Sequence, residues 1–144
     1  GEQINELKEY IKTLNLSDNV KLIGKISGDR KESFFENSDL FVMPSYRVKN
    51  SIEGFGISYV EAAAYGIPSI AGIEGGVKDA VIDSQTGWCV NPLNPKQLSK
   101  TLIEAINNET IRNKYGTQAK KNFLDNFLGE KVFRKFMETI ISWR

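Results

Sequence analysis

Short apolar runs separated by stretches of helical periodicity predict an α/β fold, with a Rossmann-like parallel sheet and helices on both faces. Three observations carry that expectation. Residues 20–23, 40–43, 69–71 and 88–90 form brief β-branched or apolar runs, too short for helices. The run at 40–43 is apolar throughout, as a strand covered on both faces must be. Between the runs, apolar residues return every three or four positions, the repeat of a helix with one buried face.

Taken in order, the chain opens on a helix, with Ile4, Leu7, Ile11 and Leu14 on one side and polar punctuation at 15–19. Residues 20–23 read as a strand ending at Gly24. A short helix at 33–37 follows the turn residues Gly28 and Asp29. Pro44 closes the strand at 40–43, because proline has no N–H to donate to a ladder. After a polar loop at 45–51 comes Glu53-Gly54-Phe55-Gly56, then an alanine-rich helix over 57–65. Gly66 can take the left-handed conformation just past that helix, and Pro68 forbids its continuation. A strand is expected at 69–71. Gly75-Gly76 then turns the chain into a short helix at 77–82, and the Thr86-Gly87 turn precedes a strand at 88–90. From Asn94 the pattern is helical to the end, with breaks expected near Gly116 and Gly129. No internal repeat or low-complexity linker divides the sequence, so residues 1–144 read as a single domain. A doubly wound sheet normally begins with a strand, and this chain begins with a helix. At least one further strand is therefore expected upstream of Gly1, which makes the chain a fragment.

Composition removes several function classes. Nineteen Lys and Arg against eighteen Asp and Glu leave a net charge of +1, interleaved rather than blocked. A nucleic-acid binder needs a basic stripe to displace counterions, so no nucleic-acid partner is expected. Cys89 is the only cysteine and there is no histidine. No intrachain disulfide, histidine-based metal site or Ser-His-Asp machinery can be assembled from such a chain. No apolar run approaches the ~20 residues that span a bilayer, and no signal peptide opens the chain. A cytoplasmic protein is the resulting expectation.

The chemistry-bearing stretch runs from Glu53 to Glu61, with Gly75-Gly76 downstream. Gly54 and Gly56 let the backbone approach a ligand closely. The helix that starts after them leaves its first amide N–H groups without intrahelical partners and carries about half a positive charge at that end. A glycine-rich turn feeding a helix N-terminus is a ready anion site, with phosphate its commonest occupant. Glu61, inside a helix among Val60, Ala62, Ala63 and Ala64, must find donors; ribose hydroxyls would serve, as would a lysine or its own helix terminus. Glu53 stands in the loop before the glycines, free to face whatever the phosphate carries.

The spacing Glu53-x7-Glu61, with Gly-Phe-Gly after the first glutamate and Ala after the second, resembles the signature of retaining GT-B glycosyltransferases of the large "group 1" family. Gly66-Ile67-Pro68-Ser69-Ile70, Gly75-Gly76-Val77-Lys78-Asp79-Ala80-Val81 and Thr86-Gly87-Trp88-Cys89-Val90-Asn91-Pro92 are similar to that family's later segments and fall in its order. The resemblance implies the incomplete C-terminal, donor-binding half of a GT-B fold. It implies transfer of a sugar from a UDP- or GDP-sugar with retention of configuration and no required metal or other cofactor. Glu61 would bind the ribose and Glu53 the transferred sugar, in the catalytic role. Backbone at Gly54, Phe55, Gly56 and Ile57 would hold sugar or diphosphate, and that near Lys25 and Ile26 the base. A saccharide or lipid-linked acceptor would bind through an N-terminal domain, and the full enzyme could work at the inner face of the membrane.

Two departures accompany the resemblance. The family's diphosphate-clamping Arg and Lys lie before the position of Gly1; Arg47 and Lys49 could neutralise phosphate or be solvated loop charges. Asp79 stands where the family has Glu. The C-terminal stripe Phe123, Phe127, Val132, Phe136 and Ile140 fits either core packing or a partner surface, since the family's last helix crosses onto the N-terminal domain. Exposure of part of that face is the expectation. Competing readings are Glu53 as a covalent nucleophile, a GT-B sugar-nucleotide epimerase, and a non-catalytic nucleotide-binding module. No P-loop motif occurs.

Overall fold

The computed structural model describes residues 2–142. The chain divides into two compact units, Gly1–Phe34 and Phe35–Arg144. In the first, helix α1 (Ile4–Thr13) has the expected apolar spacing, yet none of its residues is buried. The strand expected at 20–23 is absent, and these residues are irregular backbone. A strand exists only where a neighbour completes its ladder, and no described residue pairs with 20–23. The Val20 N–H instead closes a turn on the Leu16 carbonyl at 2.9 Å. Helix α2 (Asp29–Glu36) starts directly after Gly28, four residues earlier than expected, because the Gly28 carbonyl accepts the N–H groups of Lys31 and Glu32.

In the second unit, β1 (Phe41–Met43), β2 (Ser69–Ala71) and β3 (Gly87–Cys89) form a parallel sheet in the order β1-β2-β3. Met43, Ala71 and Cys89 lie side by side in register, as do Val42, Ile70 and Trp88. Consecutive residues of a strand face opposite ways, so these two rows serve opposite faces. The first row packs with Tyr59 of α3 (Ile57–Ala64) and with Val77 and Ala80 of α4 (Val77–Ala80). On the other face, Ile70 and Trp88 pack with Val90, with Ala105 of α5 (Pro95–Asn107), and with Ile111 and Tyr115 of α6 (Glu109–Asn126). Helices therefore cover both faces, as predicted. Ile70, Val77 and Val90 are fully buried, each contributing about 2 kcal/mol relative to exposure.

Several boundaries shift by a residue or two. Helix α4 stops at Ala80 because Val81 is extended. The third strand runs one residue earlier than expected, with Gly87 paired to Ser69, and a Cβ at Gly87 would meet the Ser69 oxygen at 2.2 Å. Asn94 and Asn108 cap α5 and α6 by accepting the N–H groups of Gln97 and Ile111. Arg112 returns the favour at the other end of α5, donating to the Ala105 carbonyl at 2.8 Å.

The break expected at Gly116 does not occur: it sits buried inside α6. A Cβ there would stand 2.1 Å from the Gly66 carbonyl oxygen. That glycine is present for close packing against the chain leaving α3, where Gly66 has φ +75° and the Ile67 N–H reaches back to the Ala62 carbonyl. The helical run does break before Gly129, where α7 (Gly129–Ser142) begins. On α7, Val132 and Phe136 are exposed, as expected of that stripe, while Phe123 and Phe127 on the preceding segment are half-buried. The Ile140 side chain lies outside the described residues. No helix among the described residues is long and apolar enough to cross a membrane.

Candidate functional site

The carboxyl ends of β1 and β2 open into two loops, 44–56 and 72–76, that pack backbone against backbone. A Cβ on Gly72 would stand 2.0 Å from the Ser45 oxygen, on Gly75 2.1 Å from the Glu53 oxygen, and on Gly76 2.0 Å from the Gly54 oxygen. Space alone restricts these positions to glycine. The Gly76 N–H donates to the Glu53 carbonyl at 3.3 Å, tying the loops together at the first glutamate. Further out, Val48 and Ser51 exchange two backbone hydrogen bonds of 2.9 Å, folding 48–51 into a tight turn with Lys49 at φ +54°. The Glu74 carboxylate accepts the Arg47 backbone N–H at 3.0 Å.

Helix α3 starts at Gly56, which has φ +82° and no side chain with which to cap the helix. The Tyr59 N–H closes on the Gly56 carbonyl at 2.9 Å. Gly56 has no side chain to offer the earlier amides of that first turn, at Ile57 and Ser58, and the helix carries its positive end here. A Cβ on Gly56 would meet the Tyr59 ring at 2.3 Å. That ring cannot retreat: it is buried, its hydroxyl donates to the Met43 carbonyl, and it lies 3.4 Å from Ser45 Oγ. Burial pushes the Tyr59 phenol above its ordinary value, with the Glu53 charge acting in the same direction. The neutral hydroxyl thus anchors α3 to the end of β1.

Glu53, Gly54, Phe55, Gly56, Ile57 and Glu61 are brought together by this one loop–helix element. Both glutamates are half-buried, Gly56 is buried, and Gly54, Phe55 and Ile57 are exposed. Arg47, Lys49 and Asp79 are exposed. Lys25 and Ile26 lie in the first unit, on irregular backbone after Gly24, with Lys25 exposed and Ile26 half-buried. Beside the α3 N-terminus, Phe55 meets the Phe127 ring edge-on at 5.7 Å between centroids. The two rings border an apolar cavity of about 400 Å³ that Ile57, Val60 and Val132 also line.

Cys89 is set apart from this chemistry. Burial, reinforced by Asp83, pushes its thiol up to about 11, and the Asp83 carboxylate accepts the Cys89 N–H at 2.8 Å. A thiol so held is protonated at neutral pH and a poor nucleophile. Among the described residues, no group of three or more Cys, Asp or Glu side chains could hold a metal ion. Sequence reasoning missed two residues that shape the site. Tyr59 carries a weak signal, an aromatic with a polar tip on the face of an otherwise small-residue helix. Glu74 carries none, because its partner is a backbone amide 27 residues away.

Comparison with known proteins adds the context. The model of the family described as glycosyl transferases group 1 matches residues 1–122. An uncharacterized glycosyltransferase of Methanocaldococcus jannaschii is 34% identical over 131 residues, covering 91% of this chain and 35% of that protein. A GDP-mannose-dependent monoacylated phosphatidylinositol monomannoside mannosyltransferase of Corynebacterium glutamicum is 35% identical over 101 residues, covering 68% of this chain and 26% of its own. Among solved structures, Anabaena HepE in complex with UDP and glucose superposes with a TM-score of 0.82 at 23% identity, over 98% of this chain and 37% of that one. The chain thus spans about a quarter to a third of the length of these relatives.

Proposed function

The chain belongs to the glycosyl transferases group 1, and from that premise we propose that it supplies the donor site of an enzyme that moves a sugar from a nucleoside-diphosphate sugar to an acceptor with retention of anomeric configuration. In this reading residues 1–144 are most of the C-terminal donor domain. The bond that breaks joins the anomeric carbon to the diphosphate oxygen, the bond that forms joins that carbon to an acceptor hydroxyl oxygen whose proton leaves with the diphosphate, and the charge that grows on the departing diphosphate meets the positive end of α3. Backbone at Gly54, Phe55, Gly56 and Ile57 holds the diphosphate and sugar, Glu61 binds the ribose hydroxyls, and Glu53 orients the transferred sugar. No metal is required, because helix amides do the work of a cation at the leaving group. The acceptor, a saccharide or a lipid-linked saccharide, binds through an N-terminal domain, at the cytoplasmic face of the membrane.

One observation carries the reading: α3 opens at a glycine that cannot cap it, between two half-buried glutamates, at the carboxyl end of a parallel sheet. Relatives add support, since HepE was solved with UDP and the Corynebacterium enzyme is named for GDP-mannose. The test is a calorimetric titration of the chain with UDP, GDP, UDP-glucose and GDP-mannose beside Glu61→Ala. Saturable binding of one nucleotide, weakened about tenfold or more in the variant, is the expected result. Binding that Glu61→Ala leaves unchanged would remove the ribose role, and no binding of any nucleotide would sink the donor site.

A further inference from the structure

The loop that carries Glu53 is long and poorly covered. Tyr46, Val48 and Ile52 are all exposed, so apolar packing does not hold the stretch between Ser45 and Glu53 in place. Hydrogen bonds from the facing segment 72–76 do. At one end the Gly76 N–H reaches the Glu53 carbonyl, a long bond of 3.3 Å. In the middle, the Glu74 carboxylate takes the Arg47 N–H at 3.0 Å. At 3.0 Å against 3.3 Å, the contact at Glu74 is the shorter of the two. The glycines of segment 72–76 meet the loop only near its two ends, at the Ser45, Glu53 and Gly54 carbonyls, so the stretch between those ends is tied to the facing segment by Glu74.

We infer that Glu74 is a positioning residue: by gripping the Arg47 backbone it fixes the 48–51 turn, and through it the place where Glu53 stands beside the N-terminus of α3. The inference rests on the reading of Glu53 as the group that meets the transferred sugar. Glu74 touches no reacting atom in this scheme. Its carboxylate sets the loop, and the loop sets Glu53. The consequence is selective. Ribose and diphosphate are held by Glu61 and by the start of α3, which Glu74 does not touch, so loosening Glu74 weakens the hold on the sugar and spares the nucleotide.

The experiment uses the full 144-residue chain, with Glu74→Ala and Glu74→Gln. Amide hydrogen exchange at Arg47 is read by NMR, and UDP, GDP, UDP-glucose and GDP-mannose are titrated alongside thermal melts. In Glu74→Ala the Arg47 amide exchanges about tenfold faster or more, while in Glu74→Gln, whose amide oxygen still accepts, it stays within about threefold of the parent. The nucleotide sugar binds about tenfold more weakly to Glu74→Ala, the bare nucleotide stays within about twofold, and Glu74→Gln restores the sugar. Unchanged Arg47 exchange in Glu74→Ala overturns the inference, as does equal weakening of nucleotide and nucleotide sugar, or a Gln variant no better than Ala. A parent chain that binds no nucleotide sugar sinks the donor-site reading instead, and the exchange measurement alone then upholds or overturns the grip on Arg47.

Discussion

Helices α3 and α7 make opposite use of apolar residues. Helix α7 has the cleaner amphipathic stripe, yet Phe133 and Phe136 remain 64% and 59% exposed. Helix α3 has no comparable stripe, and it buries Tyr59, Ala62 and Ala63 almost completely. The difference lies in size. Gly66, just past the end of α3, lets the backbone of α6 come in at Gly116, while Tyr59 packs α3 against the sheet. Large side chains on α7 need a surface shaped to receive them. A stripe of bulky residues thus announces a demand for cover, whereas small residues on a short helix mark cover already obtained.

The most damaging way to break this contrast is Gly116→Ala. Helix propensity alone would favour alanine by about 1 kcal/mol, but its Cβ would arrive 2.1 Å from the Gly66 oxygen. A net loss of about 3 kcal/mol in urea unfolding is expected; a neutral or stabilised variant would mean that the α3–α6 approach is looser than described. Next is Tyr59→Phe, which removes the hydroxyl bonded to the Met43 carbonyl and should lower stability by about 1 kcal/mol. No loss in the unfolding midpoint would deny the hydroxyl its anchoring role.

Cys89 sharpens the picture under alkaline conditions. Its folded-state value, about 11, lies above the ordinary thiol value, so its contribution is complete at neutral pH and drains away as pH rises from about 8.5 toward 11. Unfolding midpoints measured at pH 7, 9 and 10.5 should decline, and Cys89→Ala should decline less; parallel curves would contradict the burial of the thiol. Tyr59 contributes in the same direction, so a residual slope in Cys89→Ala is expected. The smallest effect belongs to α7, where Phe136→Ser should change stability by no more than about 0.5 kcal/mol. A larger loss would show that this face is covered in solution.

Much of the architecture was legible because it depends on local chemistry. The Gly66 exit from α3, the strand at 69–71 and the start of α3 after Gly56 follow from residues within a few positions of each other. Failures came where the deciding partner is distant. Residues 20–23 have the composition of a strand, but strandedness belongs to a pair of segments. Gly116 looks like punctuation in a helical sequence, and its real constraint comes from a carbonyl at Gly66. Glutamates 53 and 61 stood out by their spacing around two glycines, whereas Glu74 reads as one more surface acid until the Arg47 amide is found against it.

The bare start of α3 has one more implication. A serine or asparagine at position 56 would complete the first turn from within, at the expense of the Tyr59 ring and of the left-handed backbone. With glycine there, the helix has no side-chain cap from its own N-terminal residue. An anion that docks on the Ile57 and Ser58 amides would act as the capping group the chain does not encode, so the firmness of the first turn and the occupancy of the site become two readings of a single equilibrium. The backbone at 57–58 would then report on ligand concentration as directly as any dye placed beside it.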